Sequence, residues 1–351
     1  MSPAKPRSGA PAAPLGAGAA LGQRLRELVA ADADRIPLPG RGHTIQRWRA
    51  LAGVAAEDVA LIKLYEGHTD ALSILAEVDP DAATALDVAE FQMANRRAGR
   101  TVWATWAAEP PSARLLLHRG ADGIRLDGRK AWCSGAGLVD RAVVTAWDDR
   151  GEQCLATVTL DQPGVRITDE GWHAVGMGRS ESVDVVFDNA HAVQLGQPGQ
   201  YTARPGFWHG GAGIAACWYG AAIPFVEALS DLVARRGEPH AAAHLGAVST
   251  SVAATRALLV ESAAWIDANP LQDAQEIAMR ARSAAEQTAL VVIERAGRAL
   301  GAGPLCRDES LARRFADLPV FLRQSHAEQD LAALGCLTAT NHSASQSGWS
   351  L

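Results

Sequence analysis

The sequence predicts an α+β chain in which a β-domain stands between two helical regions. Two observations carry this reading. Apolar residues recur at three- and four-residue spacing from Leu21 to about Arg100 and again from about Phe207 to Leu334. Between them, from Thr101 to about Val193, the texture changes to short β-type runs bounded by turn residues. Helical stretches that flank one segregated block of strands argue against a doubly wound sheet, which would alternate the two.

Taken in order, residues 1–20 are rich in Ala, Pro and Gly, hold no apolar run of signal-peptide length, and are expected to form a disordered leader. Residues 21–100 read as a helical domain of three stretches, 21–34, 54–78 and 82–99, the last two separated by Asp79, Pro80 and Asp81. Residues 101–195 read as the β-domain, with strands in GIRLDGRKAWCSG, RAVVTAW, CLATVTL, GVRIT and SVDVVFDN. Asp127 followed by Gly128, between two such runs, predicts a hairpin turn there. After the link GQPGQYTARPG, residues 206–335 carry Ala- and Leu-rich helices expected at 213–236, 239–268 and 273–300. Ala is the best helix former, and its small side chain permits close packing. Residues 336–351 form a tail.

Charge and cysteine usage narrow the function. The net charge is −6 and no Lys/Arg cluster is interleaved with aromatics, so nucleic acid is not an expected partner. The five cysteines are scattered, without a C-x-x-C pair or zinc-site spacing, so no metal site is expected and a reducing cytoplasm fits. No stretch is read as a membrane span.

Three stretches carry a family resemblance. GIRLDGRKAWCSGAGLVDRAVVTA (123–146) resembles the acyl-CoA dehydrogenase strand G-x-x-L-N-G-x-K-x-[WF]-I-[TS]. GWHAVGMGRSESVDVVFDNAHA (171–192) resembles the later G-x-R-x-S strand of that family. RALGAGPLCRDESLARRFADLPVFLRQ (298–324) resembles its glycine-rich passage ending in R-D, with Gly301 and Gly303 at glycine positions and Asp317 at the closing aspartate. The resemblance covers about Leu21 to Leu334. It implies an acyl-CoA dehydrogenase-like fold: an N-terminal helical domain, a middle β-domain and a C-terminal four-helix bundle.

The same resemblance implies bound FAD between the β-domain and the C-terminal helices, in a homodimer or homotetramer. Trp132, Cys133 and Ser134 match the triplet that passes the flavin, with the indole against the ring and the hydroxyl near N5. Ala107 and Ala108 match the first half of a flavin-contacting T-E-P-x-x-G-S-D loop whose Gly-Ser-Asp half is missing. Arg235 and Arg236 fall near an arginine that contacts the FAD diphosphate of a neighbouring subunit, a role that suits a planar guanidinium.

The glutamate base of the family aligns with Ser325, where no carboxylate stands. Glu328 would share the face of Ser325 if that helix continued, and it is the expected displaced base, with His326 beside it. His209 is the alternative on the first helix of the C-terminal domain. In YEGHTD (65–70), Glu66, His68 and Asp70 interrupt an apolar pattern; this marks either a functional group or a helix cap or surface turn made by Asp70. The expected activity is FAD-dependent oxidation of a carbon–carbon bond in an acyl thioester, passing electrons to an acceptor the sequence does not identify. The alternatives are a flavin monooxygenase of the same fold, which needs no glutamate base, and a non-catalytic binding relative.

Overall fold

The computed structural model describes residues 18–78 and 100–344. Most of the expected leader, the expected helix at 82–99 and the end of the tail lie outside the described residues.

Among the described residues the first elements are the helices α1 (Ala19–Ala30), α2 (Thr44–Glu57) and α3 (Val59–Val78). The stretch 54–78, expected as one helix, is broken at Asp58. Its backbone is extended (φ −161°, ψ 131°) and its Oδ1 accepts from the N–H groups of Ala60 and Leu61 at 2.9 and 3.0 Å. An aspartate in this position satisfies amides that the first turn leaves without partners. α3 is buried along most of its length.

From residue 100 onward the described residues hold the strands β1 (Trp103–Trp106), β2 (Leu115–Gly120), β3 (Gly123–Cys133), β4 (Arg141–Trp147), β5 (Gln153–Thr159), β6 (Val165–Ile167) and β7 (Val183–Leu195). The pairings β4–β2–β3–β7–β5–β4 close on themselves, while β1 adds parallel to β4 and β6 adds to β7. A closed ring leaves few unpaired strand edges.

The hairpin turn lies elsewhere than expected. β2 and β3 are joined across Gly120↔Gly123, and Asp127–Gly128 falls inside β3 as a register shift against β7. Gly128 has φ +116°, and a Cβ there would run into the Arg114 carbonyl, so this glycine serves a bulge.

The C-terminal part consists of α4 (Gln200–Ala203), α5 (Pro205–Gly211), α6 (Gly213–Arg236), α7 (Pro239–Ala268), α8 (Gln275–Leu300), α9 (Ala302–Arg307), α10 (Glu309–Phe321) and α11 (Glu328–Ala344). α6 ends at Gly237 in the left-handed region, and α7 restarts at once with Pro239 in its first turn and Glu238 accepting from the His240 and Ala241 amides. α6 packs on α8 and across α2, and at that crossing Gly220 faces the backbone of Ala52.

The expectation of no membrane-length stretch needs correction. Helical runs 205–236 and 239–268 are long and apolar enough to cross a membrane by length and composition. In the first, 67% of the apolar window is buried inside the protein; in the second the share is 17%, so α7 carries the bare apolar flank of these helices.

Candidate active site

A cavity of about 700 Å³ opens between α3, β1 and the residues after it, the end of β3, the loop leading to β7, and the end of α10. The chemistry on its walls follows from helix and strand geometry. On α3, Lys63, Glu66 and Asp70 stand at i, i+3 and i+7, so one helix face delivers all three to the cavity. The ammonium of Lys63 donates to Glu66 Oε2 at 3.1 Å. Asp70 accepts no hydrogen bond among the described residues. Burial pushes its carboxyl above the usual carboxylate range, Arg204 opposes this, and neighbouring Glu66 adds to it.

The motif YEGHTD is therefore divided between two tasks. His68 is buried on the other side of α3: its Nδ1 accepts the Trp103 amide at 3.1 Å, which leaves Nε2 to donate to Asp34 at 3.1 Å. It fastens α3 to β1, while Glu66 and Asp70 face the cavity. Asp70 lies in mid-helix and is neither a cap nor part of a surface turn.

On the β side, a register irregularity between Lys130 and Cys133 sets Trp132 at φ +55° and leaves it 50% exposed on the cavity wall. Alternation turns Cys133 inward: it is fully buried, its thiol donates to the Lys130 carbonyl, and burial pushes its pKa up. Ser134 lines the cavity, and its Oγ lies 2.8 Å from Ser182 Oγ. Ser182 Oγ is in turn 2.8 Å from Ser180 Oγ, which donates to the Met177 carbonyl at 2.7 Å. Ala107 and Ala108 line the cavity next to Glu109, which accepts from Thr145 Oγ1 at 2.6 Å and lies 3.4 Å from the buried ammonium of Lys130. That buried pair anchors the loop after β1.

The far wall carries Val320, Phe321, Arg323, Gln324 and His326 and, among the described residues, no carboxylate. A short 3-10 turn over Leu322–Gln324 ends at Ser325, which is extended, and α11 starts only at Glu328 after Ala327 at φ 48°. The helix therefore does not continue through Ser325, and Glu328 cannot share its face. Glu328 is exposed and does not line the cavity, which corrects its expected role as the base. His326 lines the rim with its side chain 72% exposed, and its Nδ1 is 3.4 Å from Asp330.

The remaining candidates lie elsewhere. His209 is buried at a second cavity of about 690 Å³ against Gly40 and Glu77, where burial lowers its pKa. Arg235 and Arg236 occupy the exposed last turn of α6, with Arg235 3.8 Å from Asp231. Gly301, at φ +67°, closes α8, and Gly303 lies in α9. None of these lines the first cavity. The sequence reading missed Trp172, Ser182 and Tyr201, which do. Trp172 and Ser182 stood inside the quoted stretch 171–192, and a tryptophan placed in a glycine-flanked loop was the available signal.

Two buried polar atoms in this wall have no hydrogen-bond partner among the described residues: the donor Nε1 of Trp172 and the acceptor Oε1 of Gln324. Both atoms lie beneath the cavity surface, where an unpaired polar group carries a desolvation cost.

Comparison with known proteins accounts for the architecture. No family model matches the chain. A glutaryl-CoA dehydrogenase from Mycobacterium smegmatis, solved with FADH2, superposes with TM-score 0.77 at 16% identity over 91% of this chain and 88% of that one. The chain has the acyl-CoA dehydrogenase fold. Within that fold it also superposes on KijD3 in complex with dTDP, at TM-score 0.72 and 20% identity over 94% of this chain and 98% of that one. FMN-bound TdsC from Paenibacillus sp. A11-2 gives TM-score 0.72 at 18% identity over 92% and 96%. In sequence, the amino sugar nitrososynthase DnmZ of Streptomyces peucetius is 31% identical over 163 residues, which are 43% of this chain and 39% of that enzyme's own length.

Proposed function

We propose that this chain is a flavin-dependent monooxygenase acting on an amine-bearing substrate, and not an acyl thioester dehydrogenase. The observation that carries the reading is the position of the acids. Among the described residues the wall formed by the end of α10 has no carboxylate, while Glu66 and Asp70 enter the cavity from α3. The likeness to a nitrososynthase and to TdsC, a dibenzothiophene monooxygenase, supports the same choice.

The cavity suits an isoalloxazine ring. Trp132 offers an exposed indole face on which a planar heterocycle can stack. Reduced flavin supplies the electrons that activate dioxygen. The chain's own residues do the rest. Asp70, made more basic by burial, takes the proton from a substrate ammonium and leaves the nitrogen lone pair free. Lys63 neutralises Glu66 and so keeps Asp70 the acceptor. Tyr201 and Phe321 close the cavity on its apolar sides and limit water.

FAD, expected from the resemblance, and FMN, present in the TdsC neighbour, share this ring and differ in the remainder. The test is titration of the purified chain with each flavin, followed by addition of an acyl-CoA panel or of NADH-reduced flavin with oxygen and an amino sugar nucleotide. Binding of one flavin, no bleaching by thioesters and oxygenation of the amine are the expected results; bleaching by a thioester would return the chain to the dehydrogenases. In the same titration Trp132→Ala weakens flavin binding about tenfold or more, on the scale of a lost aromatic stack. Trp147→Ala leaves binding unchanged, because Trp147 lies 5.2 Å under the Arg114 guanidinium and away from the cavity.

A further inference from the structure

We infer that Ser134, Ser182 and Ser180 form a reversible hydroxyl relay that matches flavin N5 in both of its redox states, with Ser182 as the positioning residue. The inference rests on the flavin reading above and assigns work to two serines that reading does not use. Ser134 and Ser182 line the cavity and Ser180 lies behind them: Ser134 is 9% exposed, Ser182 3% and Ser180 0%. Successive oxygens are 2.8 and 2.8 Å apart, and the last lies 2.7 Å from the Met177 carbonyl oxygen.

The direction of the chain is free at one end only. A carbonyl oxygen can only accept, so the Ser180 proton is committed to Met177. The Ser182 proton has two acceptors at equal distance, Ser180 Oγ and Ser134 Oγ. When Ser182 donates to Ser134, the Ser134 proton points into the cavity and the site is a donor. When Ser182 donates to Ser180, Ser134 donates to Ser182 and presents a lone pair to the cavity, so the site is an acceptor. Every hydroxyl proton has an acceptor in both arrangements, and no heavy atom moves.

The scaffold holds the spacing that this requires. The Ser134 carbonyl is gripped by Trp106 Nε1 at 3.0 Å, and the Gly135 amide donates to the Ser180 carbonyl at 2.7 Å, tying the two loops together. A site that inverts its hydrogen-bonding sense fits an atom that does the same. Flavin N5 is such an atom: oxidised it carries a lone pair and accepts, reduced it carries a proton and donates. Groups near N5 are among those by which a protein tunes a flavin.

The relay gives Ser182 a measurable signature. In Ser182→Ala the Ser134 proton loses its inward acceptor. Ser134 still donates to oxidised flavin, but it meets reduced flavin with two donors face to face. Anaerobic titration with FMN and with FAD in each redox state is therefore expected to show oxidised binding within twofold of the parent and reduced binding about tenfold weaker, the scale of one buried donor left unmatched. For a two-electron couple that tenfold change is a midpoint potential about 30 mV more negative. Ser182→Thr keeps the hydroxyl and restores the parent ratio. In a Ser134→Ala background, Ser182→Ala changes nothing further, because the end of the relay that meets the flavin is gone.

Equal weakening for both redox states, or an undiminished effect of Ser182→Ala in the Ser134→Ala background, overturns the relay and leaves Ser182 a packing residue. A parent chain that binds neither flavin in either state overturns the flavin reading and the relay together. Flavin binding with an unchanged ratio overturns the relay alone.

Discussion

Asp70→Asn is expected to lower kcat/KM for an amine substrate by about 10²–10⁴-fold, the range for loss of a general base, while oxidised flavin binds as in the parent. Asparagine keeps the size of the side chain and one acceptor oxygen but cannot take a proton at neutral pH. The parent should also show an acid limb shifted upward. Burial raises the Asp70 carboxyl, so the basic form is lost at a higher pH than for an exposed aspartate, and activity rises with pH through that raised value. Asp70→Asn removes the limb. The check is a pH profile of kcat/KM for both proteins; a parent-like rate and limb in the variant would exclude Asp70 as the proton acceptor. Glu66→Gln is the companion: with Lys63 left unpaired beside it, Asp70 gains a cationic neighbour and the limb moves to lower pH.

The largest expected stability effect belongs to Gly220→Ala. An added Cβ would stand at 2.7 Å or less from Ala52 O, Cα and C, all backbone atoms of α2 that no rotamer change can move aside. Alanine gains about 0.5–1 kcal/mol over glycine in a helix interior, but forcing apart two packed helices costs more, of order 1–3 kcal/mol and occasionally above. A net loss of about 1–2 kcal/mol is expected from the difference, read as a lower denaturant midpoint. Gly53→Ala, in α2 with open space around its Cβ, is the control and should raise the midpoint instead. If the two variants behave alike, the close approach at Gly220 is absent in solution.

The helix–strand–helix order was legible because periodicity is written in local spacing. Trp132 and Ser134 line the cavity and sit in a short stretch whose pattern is distinctive. Asp127–Gly128 misled because a positive-φ glycine serves a bulge as well as a turn, and only the partner strands decide which. The break at Asp58 was hidden for a similar reason: Val54 to Val78 keeps an apolar pattern through it, and the cap is visible only in the backbone. Glu328 was chosen on an assumed continuous helix, which ends at Ser325.

Asp70 was noticed for breaking an apolar run, but its role depends on which face of α3 looks into the cavity. His68, two residues earlier, breaks the same run for a structural purpose. Trp172 and Gln324 are remote in sequence and meet only across the assembled cavity, so no local pattern could have paired them.

The cap at Asp58 has a consequence for how the chain comes apart. Its Oδ1 holds the start of α3, and its Oδ2 takes the Arg179 guanidinium at 2.5 Å from the loop that carries Ser180. Arg179 is in turn 3.8 Å from Asp317 of α10, whose Oδ1 accepts the Met177 amide at 2.5 Å. The amino-terminal helices, the strand ring and the carboxy-terminal helices thus share one knot of charge. Loosening any strand of it frees a helix start, a loop and a helix flank at once, each leaving a partner exposed. Such a chain is expected to melt as one cooperative body, and limited proteolysis at this knot is expected to release no stable fragment.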